Sequence, residues 1–305
     1  MNGRWCRRVL SLALPAACAA SVVHAQDIEP RSYWNAPVGL NFIVGGFSHS
    51  TGGLSTDPSV PLDDAKLRIN AGTVAYARSF DWWGDSGKID VVLPYATLSG
   101  TASLLGQPVS RDVSGLLDPR VRASINFFGA PALTAQEFAA YRQDLVIGAS
   151  LQLTLPWGQY DPERAINLGT HRWIVKPELG MTKAWGAWTV EAATAVSVFQ
   201  RNDDYFGGHT QDRAPIYSLQ TSVTRSFSGG AWAALGATYY RGGRTTIDGV
   251  ERDDALGSSR IAATLSLPVD RANSIRINAS SGVHVRTGTD FDTVSVYWQY
   301  RWLSP

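Results

Sequence analysis

The stretch Phe291-Asp-Thr-Val-Ser-Val-Tyr-Trp-Gln-Tyr-Arg-Trp302, close to the end of the 305-residue chain, decides the fold class. Every second residue is apolar, and the residues between them are mainly polar, an alternation that is typical of a β-strand with two unlike faces. The apolar face ends in Trp298, Tyr300 and Trp302. Because Trp and Tyr favour the boundary between lipid and water, the stretch predicts a strand that crosses a membrane.

The same alternation recurs along most of the chain. It is clearest around residues 117–128, where Arg120, Arg122 and Ser124 oppose Val121 and Ile125. We predict about twelve strands, at 36–48, 66–80, 88–101, 117–128, 144–157, 172–184, 188–200, 214–227, 231–241, 258–268, 274–286 and 291–302. An even number of such strands is typical of a single-chain outer-membrane barrel. The predicted fold is therefore all-β: an antiparallel transmembrane β-barrel of about 12 strands whose apolar faces contact lipid.

The connections between these strands fall into two classes. Short turns are predicted at 81–86, 185–187, 228–230 and 269–272, together with a longer connection, 129–143, that holds a short helix opened by Thr134. Longer, polar connections are predicted on the other side, at 49–65, 103–116, 158–171, 201–213 and 242–257. Outer-membrane barrels sort their loops in this way, whereas a soluble β-sandwich has no reason to do so. Since an open strand edge is costly in lipid, residues 26–305 are expected to form one closed domain.

The N-terminus has the pattern of a cleaved export signal. Basic residues precede an apolar stretch, 9–23, that is too short to span a bilayer, and Val23-His24-Ala25 fits a cleavage site. We therefore predict that residues 1–25 are a signal peptide, and that the barrel lies in the bacterial outer membrane with both termini periplasmic. Lipidation at Cys18 is a disfavoured alternative, because Pro15 occupies a position where such sites need a branched aliphatic residue.

Composition excludes several classes of function. Both cysteines, Cys6 and Cys18, lie in the leader, so the mature chain has no disulfide and no cysteine nucleophile. The formal net charge of +1 gives no indication of nucleic-acid binding. The expected partners are outer-membrane lipid, lipopolysaccharide and the barrel assembly machinery, and no cofactor is predicted.

If the apolar faces contact lipid, the opposite faces line the lumen. The residues predicted to line it are Arg68, Arg120, Arg122, Lys176, Glu178, Glu191, Arg260, Arg276 and Arg301. Two interpretations are open: a basic constriction that favours anions, or basic side chains that pair with acids and fill a small barrel. Residues 27–34 are too irregular for a strand and too apolar for a free tail. They are a candidate plug segment, with Ile28, Arg31, Tyr33 and Trp34 as its anchoring residues.

Catalysis and metal binding are disfavoured. Of the mature histidines, only His284 shares a predicted strand with a candidate nucleophile, Ser280, and the two lie too far apart along it for direct contact. We therefore predict that the protein is not an enzyme, and a barrel-embedded hydrolase is the weakest alternative. Asp203, Asp204, His209 and Asp212 could bind a cation in one loop, but a solvated acidic loop is the favoured interpretation, so no metal site is predicted.

Several motifs resemble a known family. They include Gly158-Gln-Tyr-Asp-Pro162, Ile166-Asn-Leu-Gly-Thr170, Lys176-Pro-Glu-Leu-Gly180 and the closing Trp298-Gln-Tyr-Arg-Trp302. Together they resemble the outer-membrane family labelled "putative meta-pathway of phenol degradation". The resemblance implies a β-barrel channel for passive uptake of small hydrophobic or aromatic compounds. The alternatives are a general or anion-favouring solute porin and a closed structural or loop-binding barrel.

Overall fold

The computed structural model describes residues 29–55, 62–104, 107–164 and 166–304. The predicted signal peptide, 1–25, and Ile28 of the candidate plug lie outside these residues. In the described part of the chain, no helix combines the length and apolar character needed to cross a membrane.

Strands account for most of the described chain. They are β1 (Leu40–Ser55), β2 (Leu62–Trp82), β3 (Asp85–Leu104), β4 (Gln107–Leu116), β5 (Arg120–Pro131), β6 (Leu145–Thr154), β7 (Ile174–Trp185), β8 (Trp188–Phe199), β9 (Asn202–Tyr205), β10 (His209–Arg213), β11 (Ile216–Ser226), β12 (Trp232–Gly242), β13 (Thr245–Ile247), β14 (Val250–Glu251), β15 (Leu256–Pro268), β16 (Asn273–His284) and β17 (Gly288–Leu303). The helices are short: α1 (Ala135–Phe138) and a 3-10 turn at Ser228–Gly230. Thr134 caps α1 in a capping box with Glu137, which confirms the predicted helix start.

Twelve of these strands close into a barrel. The order is β1, β2, β3, β5, β6, β7, β8, β11, β12, β15, β16 and β17, with every neighbouring pair antiparallel. The first and last strands pair along their whole length, from Leu40 opposite Leu303 to Ser55 opposite Gly288. The antiparallel 12-stranded barrel is thus confirmed. We call the end with Leu40 and Leu303 the proximal end and the opposite end the distal end.

The outer surface has the layering of a membrane barrel. A middle band exposes large aliphatic side chains such as Leu219 and Leu235. Exposed aromatic residues flank the band at both ends: Trp83, Trp185, Trp188, Phe227 and Trp298 proximally, and Trp157, Trp173, Tyr217 and Tyr239 distally. On β17 the rings of Trp298, Tyr300 and Trp302 stack in sequence, with centroids 6.2 and 5.5 Å apart. Two aromatic girdles around an apolar band place the barrel across a bilayer.

The wall is taller on one side than the sequence alternation indicated. β2 and β3 have 21 and 20 residues, whereas β6 has 10. Residues 49–55 and 107–116, predicted as loops, are strands, because β1 continues to pair with β2 and β17, and β4 pairs with the distal half of β3. The predicted loops 201–213 and 242–257 form a second sheet of β9, β10, β13 and β14, with Tyr205 and Ile247 buried in it.

The face assigned to β2 was wrong. Leu67, Ile69 and Ala71 are buried inside the barrel, while Val74 is 55% exposed on the outside. Arg68, predicted to line the lumen, consequently lies on the outer face with Val74, as the period of two requires. The physical reason is an apolar cluster inside the distal end, where β2 packs against Leu98, Leu117, Leu168 and Phe291. The assumption that a lumen face is polar fails where the distal lumen has its own hydrophobic core.

Candidate functional site: a cavity inside the barrel

A cavity of about 1340 Å³ lies inside the barrel. The inner faces of β1, β2 and β3 form one side, and those of β15, β16 and β17 form the adjoining side. Residues 29–37, which precede β1, form part of the boundary; we call them the N-terminal segment. The cavity is large enough for a small organic molecule.

One side of the cavity is apolar. Its centre is a row of cross-strand neighbours, Val44 on β1, Ala75 on β2 and Val92 on β3. Phe42 and Ala77 form the next row toward the proximal end, and Ile69 and Ala71 continue the strip distally. We call this strip the apolar wall. It results from the β2 register described above, because β2 turns its small apolar side chains inward.

Basic side chains border the apolar wall on both sides. Lys88, Arg120 and Arg122 extend from β3 and β5, whereas Arg260, Arg276 and Arg301 extend from β15, β16 and β17. In total, the residues that line the cavity include eight Arg or Lys side chains and three carboxylates. The cavity therefore carries a net positive charge at neutral pH.

Arg122 lies at the centre of an ion-pair group. Its Nη2 atom is 2.8 Å from Glu29 Oε2, and its Nε atom donates to Asp90 Oδ1 at 3.1 Å. The Arg122 charge lowers the pKa of Glu29 to about 2, against the opposing effect of burial. Lys88 adds a hydrogen bond from Nζ to the carbonyl oxygen of Ser32, 3.3 Å away. These contacts hold the start of the N-terminal segment against β3 and β5.

Acidic side chains of β7 and β8 bind the same segment. The Tyr33 hydroxyl donates to Glu178 Oε1 at 2.9 Å, and Lys176 lies 3.3 Å from the other oxygen of Glu178. The backbone N–H of Arg31 donates to Glu191 Oε2 at 2.6 Å. Arg31 has a φ of 68°, and this turn directs its N–H toward Glu191.

The ring of Tyr33 occupies a slot made by two glycines. Gly148 on β6 and Gly180 on β7 are directly opposite each other, and a Cβ atom on either would overlap the Tyr33 ring. Asn126 donates to the carbonyl oxygen of Tyr33 at 3.3 Å. Any larger residue at position 180 would exclude the ring from this slot.

Two tryptophan rings pack around Arg31 of the N-terminal segment. The Arg31 guanidinium carbon lies 4.5 Å from the centroid of Trp34 and 4.9 Å from that of Trp232. Arg276 contacts Trp232 as well, at 5.3 Å. Two cations therefore share one indole ring at the edge of the cavity, an arrangement stabilised by cation–π attraction.

The structure sorts the predicted site residues into three groups. Arg120, Arg122, Arg260, Arg276 and Arg301 line the cavity, and Arg31 and Trp34 border it. A second group, Lys176, Glu178, Glu191 and Tyr33, lies behind the N-terminal segment. Arg68, on the outer face, has no place in the site. Sequence reasoning did not identify Lys88 and Trp232, because a lysine at a strand start and an indole in an apolar strand carry no distinguishing local pattern.

The histidines and loop acids have other neighbours. Ser280 accepts a hydrogen bond from Arg260 at 3.3 Å, and His49 bonds Asn70 at 2.7 Å. His171 stacks on Tyr160 with ring centroids 4.6 Å apart. In the predicted acidic loop, Arg201 lies 2.8 Å from Asp203 and 3.9 Å from Asp212, so these two acids contact an arginine.

Solved structures show similar folds. An outer membrane channel from Pseudomonas putida F1 is 21% identical to this chain, covers 90% of it and all of its own length, and has a TM-score of 0.77. The transport unit of the autotransporter AIDA-I from Escherichia coli is 8% identical, with 92% of this chain and 94% of that chain covered and a TM-score of 0.51. Both similarities establish the barrel fold.

Sequence comparison identifies the family. No curated protein matches the chain. The family described as "Putative MetA-pathway of phenol degradation" matches residues 48–300, which extend from β1 to β17 and include the strands that carry the cavity. The chain belongs to this family of outer-membrane barrels.

Proposed function

We propose that the protein is a passive channel for small aromatic or hydrophobic compounds in the outer membrane, with both termini on the periplasmic side. The apolar wall carries this proposal. A general porin needs a polar, water-filled passage, whereas here Val44, Ala75 and Val92 form a continuous apolar surface inside the barrel. An aromatic solute gains contact area along such a wall that a sugar does not.

The N-terminal segment is proposed to narrow this passage. Its contacts with Arg122, Glu178 and Glu191 place it across the lumen, beside the apolar wall. In this position it restricts the free cross-section and leaves the apolar side open. The segment therefore acts as a constriction that excludes bulky solutes.

An anion-favouring porin is the second candidate function. The observation that favours it is the excess of basic groups around the cavity, where eight Arg or Lys side chains face three carboxylates. A third candidate, a closed barrel, requires that the N-terminal segment leaves no passage at all.

The apolar band and the two aromatic girdles of the outer surface indicate which molecules the barrel contacts. Its apolar band fits lipid and the acyl chains of lipopolysaccharide, and the aromatic strand β17 is the expected signal for the barrel assembly machinery. We therefore propose membrane lipid, lipopolysaccharide and the assembly machinery as partners of the protein.

Uptake into liposomes distinguishes the three candidates. Purified protein would be reconstituted and exposed to phenyl glucoside or to sucrose, which have comparable size and cross bilayers slowly on their own. A variant that lacks residues 27–34 would be tested in parallel. We expect phenyl glucoside to enter several-fold faster than sucrose through the full chain, and the preference to shrink in the shortened variant. Equal rates in the full chain would favour a porin without preference for aromatic solutes, the class to which the second candidate belongs, and no uptake by either protein would favour a closed barrel.

A further inference from the structure

The cavity places charge and apolar surface on different but adjoining sides. Val44 on the apolar wall is the cross-strand neighbour of Gln299 on β17, and Gln299 accepts a hydrogen bond from Arg276 at 3.5 Å. A guanidinium group is thus linked, through one side chain, to the centre of the apolar wall. A molecule in the cavity can contact both surfaces at the same time.

The basic groups of the cavity are not equivalent. Arg122 is neutralised by Asp90 and Glu29 and serves to hold the N-terminal segment. Arg276, in contrast, contacts Gln299 and the face of Trp232, and no carboxylate among the described residues forms an ion pair with it. Its charge is therefore not neutralised by a direct ion pair.

Arg260 is the second basic group of this kind. Its Nη2 atom donates to the carbonyl oxygen of Phe291 at 2.7 Å and to the Ser280 hydroxyl at 3.3 Å, and both acceptors are neutral. The side chain is nearly buried and lines the cavity. Arg260, beside Phe291, and Arg276, half-buried beside Gln299, thus lie at different levels of the barrel. Each guanidinium group has neutral partners and is suited to bind an anion, because a charge-assisted hydrogen bond to a carboxylate is stronger than one to an amide.

From this arrangement we infer that the preferred solutes are aromatic carboxylates, small molecules with one anionic group on an apolar ring. The inference rests on the proposed function and specifies its substrate class. The carboxylate binds at Arg276, and the ring lies along Val44, Ala75 and Val92. Arg260, which contacts Phe291 closer to the distal end, is a separate basic group of the same cavity. A simple phenol is neutral at pH 7, since its pKa is near that of tyrosine, about 10, and it cannot use the guanidinium groups in this way.

Reversal potentials in planar bilayers test this inference. Full-length protein would be measured under concentration gradients of potassium acetate and potassium benzoate. Benzoate is the larger anion, so a simple sieve passes it more slowly than acetate. We expect instead a benzoate permeability at least twofold above that of acetate. A ratio below one would overturn the inference.

Single substitutions test the basic groups of the cavity and the apolar wall separately. Arg276→Gln and, independently, Arg260→Gln should lower the permeability of both anions at least threefold relative to potassium. Val44→Thr and Val92→Thr, which keep side-chain shape, should lower benzoate alone. Arg68→Gln, on the outer face, is the charge-matched control and should change neither. Heat-modifiable migration on a gel would verify that each variant forms a barrel.

The outcomes distinguish this inference from the proposed function. If phenyl glucoside enters liposomes faster than sucrose but benzoate is no more permeant than acetate, the channel function stands and the substrate class is wrong. If phenyl glucoside shows no advantage, the proposed channel for aromatic or hydrophobic compounds itself fails. A lower anion permeability in Arg68→Gln, unchanged anion permeability in both arginine variants of the cavity, or an unchanged benzoate preference in both valine variants would also overturn the inference.

Discussion

The Tyr33 ring lies against the backbone of Gly180, and its hydroxyl donates to Glu178, two residues away on the same strand. One strand, β7, therefore supplies both the space and the acceptor for the side chain that anchors the N-terminal segment. This relationship makes the docking of Tyr33 dependent on the absence of a side chain at position 180.

Replacement of Gly180 with alanine should displace the segment. A Cβ atom there overlaps the Tyr33 ring, and the overpacking is expected to destabilise the docked arrangement by about 1–3 kcal/mol. We expect a larger single-channel conductance, and faster labelling of a cysteine introduced at Ser32 by a water-soluble maleimide. Gly72→Ala on β2 is the matched control, because nothing lies within 4 Å of its Cβ position. Unchanged conductance and labelling in Gly180→Ala would show that the slot does not hold the segment.

Neighbouring residues on β1 test the orientation of the wall. Phe47 is 54% exposed on the outside, whereas Ser48 lines the cavity. An arginine at position 47 should destabilise the barrel by about 2–4 kcal/mol, since it places a charge in the hydrocarbon region. An arginine at position 48 enters the lumen and should cost less. Urea-induced unfolding in lipid vesicles measures the free energy of unfolding of both variants. An equal loss of stability in the two variants would contradict the assigned faces.

The sequence was sufficient for the number of strands in the barrel and for most of their faces. Alternation on β5, β6 and β17 separated lumen from lipid correctly, because residues such as Arg122 and Leu151 differ strongly in polarity. It failed on β2, where Ile69 and Ala71 face inward and Val74 faces outward. Both faces of β2 contain apolar residues, and only contacts from distant loops decide which face is inside.

The site was less accessible to sequence reasoning than the fold. Basic residues on inner faces could be identified individually, but their pairing depends on tertiary contacts. Nothing local shows that Arg122 binds Glu29 and Asp90 while Arg276 binds neither. Likewise, the slot for Tyr33 requires Gly148 and Gly180 to be opposite each other on separate strands, which only the register reveals.

Asp118 should hold the long distal loop, residues 155–173, in place. Its carboxylate accepts hydrogen bonds from the backbone N–H groups of Gly158 and Thr170, at 2.9 and 2.7 Å, and from the Thr170 hydroxyl at 2.6 Å. Loss of these bonds in Asp118→Ala leaves buried donors without partners, at a local cost of about 1–3 kcal/mol. We expect faster cleavage by trypsin after Arg164, whose side chain is 62% exposed.

Asp112 on β4, the strand that precedes Asp118 in the chain, provides a matched control for the trypsin experiment. Asp112 of β4 is also acidic but exposed, so Asp112→Ala should cleave at the wild-type rate. Cleavage of Asp118→Ala at the wild-type rate would show that the loop is held by its other contacts.

The turn at Asp248 should give the second sheet a dependence on pH. Its carboxylate accepts hydrogen bonds from the Thr210 N–H at 2.8 Å and the Thr210 hydroxyl at 3.1 Å, and it bonds His209. These bonds lower the pKa of Asp248 below its ordinary value of 3.8.

A carboxyl whose pKa is lower in the folded hairpin stabilises the hairpin at pH values above the ordinary pKa. This contribution to stability is lost as the pH falls through the folded pKa. Hydrogen-exchange protection of the Thr210 amide should therefore be constant above about pH 5 and decline below the ordinary carboxyl pKa. In Asp248→Asn the positive φ of 48° is retained without strain, because asparagine tolerates this region, but the titrating group is gone. Its protection factor should be lower and independent of pH over this range, and an equal decline in both proteins would assign the pH dependence to another group.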